Sequence, residues 1–128
     1  YCKFSITTLA DVRNTKNMAP LRQKQLEGEA ILRLVGEGDC LTLMDERGAQ
    51  YTSMEYAQWL QKRMLSGVKR LVLVIGGPYG FSEEVYKRAD QKISLSKMTF
   101  SHQIVRAIFT EQLYRAFTIL HNEPYHHE

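Results

Sequence analysis

Five consecutive apolar residues, Leu71-Val72-Leu73-Val74-Ile75, run without a break into Gly76-Gly77-Pro78-Tyr79-Gly80-Phe81. A strand that is apolar at every position buries both faces, which is the habit of a parallel sheet covered by helices. Glycines at its carboxyl end fit the loop that follows a central strand of such a sheet. A second, shorter apolar run, Cys40-Leu41-Thr42-Leu43-Met44, opens into Asp45-Glu46-Arg47-Gly48, which reads as a turn. Lys3 to Leu9 reads as a strand leaving for a polar loop with Asn14, Thr15, Asn17 and Pro20, and Ile93 to Ser96 as one more strand.

Helical spacing fills the intervals. Leu21 to Leu34 carries Leu26, Ala30, Ile31 and Leu34 on one face and stops at Gly36-Glu37-Gly38. Thr52-x-x-Glu55 forms a capping box ahead of a helix that buries Tyr56, Trp59, Leu60 and Met64. Ser82-Glu83-Glu84 starts a short helix ending near Ala89, and a long one runs from about His102 to Leu120. Strands alternating with helices make an α/β protein, and 128 residues make one domain of it.

Several function classes fall away. No run of eighteen apolar residues exists to span a membrane, and Tyr1-Cys2-Lys3-Phe4 lacks the basic-then-apolar layout of a secretion signal, so a cytoplasmic protein is expected. Cys2 and Cys40 have no metal-binding or redox spacing, and His102, His121, His126 and His127 form no metal-ligand motif, so no metal is expected. The net charge of +3 is unevenly spread: residues 1–60 hold seven Lys/Arg against eight Asp/Glu, residues 61–128 ten against six. An RNA-facing surface would therefore lie mainly in the second half, although scattered solvated charge reads equally well.

Three segments carry candidate chemistry. The glycine loop lets a ligand approach backbone N–H groups or makes an ordinary tight turn, and it is neither G-x-G-x-x-G nor a phosphate loop. Ser94-Leu95-Ser96-Lys97-Met98-Thr99-Phe100-Ser101-His102 is rich in small residues and poor in charge; it could wrap an adenine or simply cross from strand to helix. On the final helix, Arg106 and Arg115 are nine residues apart and so lie about 180° from each other around the axis. They cannot serve one local patch unless a second subunit takes part.

Taken in order, Val74-Ile75-Gly76-Gly77-Pro78-Tyr79-Gly80, Leu95-Ser96-Lys97-Met98-Thr99-Phe100-x-His102, Glu111-Gln112-Leu113-Tyr114-Arg115-Ala116 and Pro124-Tyr125-His126 closely resemble the ribosomal RNA large subunit methyltransferase H family, pseudouridine N3-methyltransferases of the SPOUT class. Glu27-Gly28-Glu29 and Leu43-Met44-Asp45 extend the resemblance over nearly the whole chain. It implies a parallel α/β SPOUT fold over residues 1–128 with a C-terminal trefoil knot, a departure from the rule that chains avoid knots. Members open with a further strand and helix, and this chain begins at what matches their second strand. The implied cofactor is S-adenosyl-L-methionine, held by Met44, where the family commonly has leucine, by Gly76, Gly77 and Gly80, and by Leu95, Ser96, Lys97, Met98, Thr99 and Phe100. The implied RNA side comprises His102, Arg106, Arg115, Tyr125 and His126, and the implied assembly is a homodimer.

The reaction so implied is in-line methyl transfer to N3 of a pseudouridine in large-subunit ribosomal RNA, in which positioning supplies much of the acceleration. The imide proton must leave, a task for His126 or His102, with Arg115 stabilising the anion or holding a phosphate. Asn122-Glu123-Pro124 ends the final helix, because proline cannot continue it, and turns Tyr125 and His126 back toward the protein. Two alternatives stand beside this reading: a SPOUT methyltransferase acting on transfer RNA, and a non-catalytic ribosome-associated RNA-binding module.

Overall fold

The computed structural model describes residues 4–7, 9, 18–76 and 79–127. Its elements are α1 (Pro20–Leu34), β1 (Asp39–Gln50), α2 (Ser53–Leu65), β2 (Arg70–Ile75), α3 (Glu83–Arg88), β3 (Gln91–Ser94) and α4 (His102–Leu120). The strands pair in parallel in the order β2-β1-β3, so all three carboxyl ends meet at one edge.

Period-2 side-chain alternation distributes β1 and β2 between two cores. Leu41 and Leu43 of β1, with Val72 and Val74 of β2, join Ile31 of α1 and Phe81 and Val85 of the α3 region. Met44, Leu71 and Leu73 turn to the other face, where Tyr56, Trp59 and Leu60 of α2 meet Leu113, Ala116 and Phe117 of α4. Helices thus cover both faces, as a parallel sheet requires.

Helix ends follow the local signals. Thr52 Oγ1 accepts from the Glu55 N–H at 3.1 Å while Glu55 Oε1 accepts from the Thr52 N–H at 2.8 Å, completing the capping box. Ser82 and Ser101 cap α3 and α4. Pro20 opens α1, where its missing N–H costs nothing.

Four expectations need correction. Asp45-Glu46-Arg47-Gly48 is no turn: β1 continues through it to Gln50, with a register shift between Met44 and Ala49, both opposite Ile93. β1, not β2, is the middle strand of the described sheet, and β2 at its edge is only half-buried. The expected strand from Lys3 to Leu9 is not formed at Phe4–Thr7 and Leu9, where Phe4 and Ile6 are exposed and no strand among the described residues pairs with them; Lys3 and residue 8 lie outside the described residues. Leu34 and Met64, assigned to buried faces, are exposed at the last turns of their helices.

Candidate functional site

A cleft of about 690 Å³ opens at the carboxyl edge of the sheet. The chain leaves the middle strand β1 for β2 on one side and then crosses back over β1 to β3 on the other, so the strand order reverses here, as at the switch points where open α/β sheets bind ligands. Three segments build the cleft, one after each strand core: Met44 to Arg47, the Ile75 to Phe81 loop, and Leu95 to Phe100, joined by Lys24 of α1, Tyr86 of α3 and Val105 of α4.

Of the expected cofactor residues, Met44, Gly76, Gly80, Leu95, Ser96, Met98, Thr99 and Phe100 line this cleft together. Gly77 lies outside the described residues. Lys97 alone is turned away, into an adjoining depression of about 580 Å³ with Glu46, Arg47, Gly48 and Gln50. The Ser96 hydroxyl accepts from the Met98 N–H at 3.0 Å and its carbonyl accepts from Ser94 Oγ at 2.9 Å, so the turn shapes itself and swings residue 97 outward.

The glycines serve distinct needs. Gly80 sits at φ 81°, a backbone region that side chains with a Cβ avoid. A Cβ on Gly76 would lie 2.8 Å from Cζ of the buried Phe81 ring. That glycine therefore admits Phe81 beneath the loop, and a bulkier residue there would displace protein before it met any ligand.

The sequence did not single out the charged side of the cleft. Asp45 accepts from the Tyr86 hydroxyl through Oδ2 and from the Arg47 N–H at 2.8 Å through Oδ1. Burial by itself would raise its carboxyl, but the Tyr86 hydroxyl, the Arg47 N–H and the Arg47 charge outweigh burial and hold it below the usual carboxylate value. Burial, with the bond to Asp45, pushes the Tyr86 phenol up. Arg47 donates to the Tyr86 hydroxyl at 2.8 Å and lies over the Tyr86 ring at 5.5 Å.

A second cluster forms on α4. The helix ends in a Schellman turn: Asn122 takes φ 57°, its N–H donates to Ile119 C=O at 3.1 Å, and the Glu123 N–H donates to Thr118 C=O at 2.9 Å. Asn122 thus stops the helix, two residues before Pro124, and the tail folds back as expected. Arg115 donates to Glu111 Oε1 from Nε at 3.0 Å and Nη2 at 2.6 Å, and from Nη1 to His126 Nδ1 at 2.9 Å. Arginine has no acceptor, so Nδ1 accepts and the proton of a neutral His126 ring sits on Nε2. Tyr125 donates to Glu111 Oε1 at 3.1 Å, with its ring 4.9 Å from the Arg115 guanidinium and edge-on to Tyr114. That bond to Glu111, with some desolvation, raises the Tyr125 phenol.

Arg115, Tyr125 and His126 are therefore assembled: Glu111 is the common acceptor of Arg115 and Tyr125, and His126 joins them through Arg115. Arg106 is not among them; it is exposed about 13 Å back along α4 at 1.5 Å per residue. His102 is the first residue of α4. Val105 marks the α4 end of the cleft, so the Arg115 cluster lies about 15 Å further along the same helix. Among the described residues no three His, Cys, Asp or Glu side chains could hold a metal, and no helix is long and apolar enough to cross a membrane.

Comparison with known proteins accords with this geometry. Residues 1–126 match the family described as "Predicted SPOUT methyltransferase". Proteins named ribosomal RNA large subunit methyltransferase H are similar over essentially the whole chain: that of Christiangramia forsetii is 62% identical over 127 residues, 99% of this chain and 81% of its own length. Those of Parabacteroides distasonis and Flavobacterium psychrophilum are 57% and 56% identical over 128 residues, all of this chain and 82% of theirs.

Proposed function

The chain belongs to the SPOUT methyltransferase family, among the ribosomal RNA large subunit methyltransferase H proteins, and we propose that it methylates N3 of a pseudouridine in large-subunit ribosomal RNA with S-adenosyl-L-methionine as donor. The observation that carries the proposal is the convergence of eight family-matched residues on one cleft at the switch point of the sheet. Its volume of about 690 Å³ is within the roughly 300–1,000 Å³ of small-molecule sites. When bound, the cofactor supplies an electrophilic methyl group. Met44, Leu95, Met98 and Phe100 supply apolar walls, and the loop from Gly76 supplies backbone approach.

The target uracil-type ring has an imide N–H that must be lost. We assign the developing anion, or a neighbouring phosphate, to Arg115, and the proton to His126 or His102. The two roles are coupled on this reading. Arg115 occupies the Nδ1 lone pair of His126, and an anion that drew the guanidinium away would return that lone pair as a proton acceptor. Tyr125 offers a ring on which a splayed-out base can stack. Arg106 belongs to the RNA surface outside this cluster.

The separation of about 15 Å along α4 between cleft and cluster favours a homodimer, because one copy does not bring them together. Ile104 and Tyr114, exposed on α4 by 54% and 47%, supply apolar surface for it. The trefoil threading of the C-terminal part and a cytoplasmic setting complete the proposal, both following from the family resemblance. Tritiated methyl transfer to wild-type and pseudouridine-deficient ribosomes tests it: label should enter the first and not the second. Equal labelling of both would refute the target assignment.

A further inference from the structure

We propose that Glu46 and Arg47 form a rim that receives the zwitterionic α-amino-acid end of the cofactor, an inference that rests on the cofactor cleft proposed above. In a regular strand, neighbouring side chains point to opposite faces. Asp45, Glu46 and Arg47 nevertheless all line one cleft, because β1 slips register between Met44 and Ala49 and so re-aims the residues between.

The three side chains divide the work. Asp45, 6% exposed in its side chain, has both oxygens engaged by Tyr86 and by the Arg47 N–H, and is an internal brace. The Arg47 side chain is 70% exposed, yet its guanidinium is fixed by the Tyr86 hydroxyl, by the Tyr86 ring and by Asp45 at 3.5 Å. Its Nη1 has no hydrogen-bond partner among the described residues, so an ordered donor stands at the cleft. Ordering in advance removes much of the entropy cost that a long side chain meets on binding. Glu46, beside it, is exposed and makes no ion pair or hydrogen bond among the described residues.

Charge balance decides the ligand class. Lys24 and Arg47 face Asp45 and Glu46 around the cleft, Lys97 lies beside Glu46 and Arg47 in the adjoining depression, and with Asp45 already engaged an incoming phosphate would meet the open Glu46 carboxylate. A group that carries ammonium and carboxylate together satisfies Glu46 and Arg47 at once. The apolar stretch from Leu95 to Phe100 is left for the nucleoside end.

Calorimetry of the full chain with S-adenosylhomocysteine and with 5′-methylthioadenosine, which lacks the amino-acid end, tests the rim. The parent should prefer S-adenosylhomocysteine. Arg47→Met should weaken that ligand by about ten- to a hundredfold and Glu46→Gln by about tenfold. Affinity for 5′-methylthioadenosine should stay within about twofold in both variants. Retention of the parent's preference in both variants overturns the inference, and so does equal weakening of both ligands by Arg47→Met, which would mean that the wall has merely shifted. A parent that binds both ligands equally leaves the cofactor cleft standing and refutes the rim; a parent that binds neither refutes the cleft and the rim together.

Discussion

Glu111 is the acceptor on which the α4 cluster depends, and Glu111→Ala is expected to separate catalysis from folding. Three bonds converge on its Oε1: Arg115 Nε at 3.0 Å, Arg115 Nη2 at 2.6 Å and the Tyr125 hydroxyl at 3.1 Å. A buried carboxylate with such partners would contribute about 1.5–3 kcal/mol per bond. Glu111 and Arg115 are 37% and 25% exposed in their side chains, so solvent screening brings the whole group down to about 1 kcal/mol of stability. Activity should respond far more, because Arg115 and the Tyr125-His126 tail lose their common anchor, and misplaced proton-transfer groups typically cost about a hundredfold or more. Urea unfolding and methyl transfer to ribosomes, run on the same preparations, measure the two effects. The Tyr125 phenol, raised chiefly by its bond to Glu111, should also titrate lower in the variant, which tyrosine-labelled NMR would follow. An unchanged rate would refute the role of the cluster, and a rate loss no larger than the unfolded fraction would reduce Glu111 to a structural residue.

Gly48→Ala should destabilise the fold by about 2–4 kcal/mol in urea, because the new Cβ would lie 2.6 Å from the Ile93 N and Lys92 C backbone atoms and would force β1 from β3 beyond the register shift. Tyr56→Phe should stabilise by about 1 kcal/mol, since the buried hydroxyl has no hydrogen-bond partner among the described residues. Burial pushes that phenol up to about 12 from 10.0, so its folded form resists ionisation and stability is lost as pH rises above 10.0; the phenylalanine variant should show a shallower alkaline loss of its urea midpoint. Deleting Pro124 to Glu128 should leave the thermal midpoint and cofactor binding nearly unchanged while abolishing methylation, and parent-rate methylation by the truncated chain would show the tail to be idle.

Much of the secondary structure was legible because its signals are local. Thr52 with Glu55, Ser82, and the apolar spacing of α1 and α4 each act within a turn or two, and the observed boundaries follow them closely. The fold direction of the tail was legible too, but for another reason than the one assigned. Asn122 makes the turn through a left-handed residue, and Pro124 only follows it. The apolar run of β2 suggested a central strand, yet an apolar edge strand reads the same in sequence. Helices pack on both faces of β2 even though one of its hydrogen-bonding sides has no neighbouring strand among the described residues.

The polar half of the site was illegible for a physical reason that concerns β1. Asp45-Glu46-Arg47-Gly48 has the composition of a solvated turn, and nothing within those residues says that they stay extended. What holds them is distant in sequence: Tyr86, 41 residues away, binds Asp45, and the backbone at Ile93 closes so tightly on Gly48 that only a glycine fits. The apolar half of the cleft was legible through the family resemblance, since by composition the glycine loop also reads as a tight turn and Ser94 to His102 as a plain crossover. The charged half is made of residues that are ordinary on any surface and come together at one cleft only where a register shift interrupts the pairing of β1. An acidic segment that continues a buried strand thus becomes a candidate site once a tyrosine on the facing helix is found within reach of its first carboxylate.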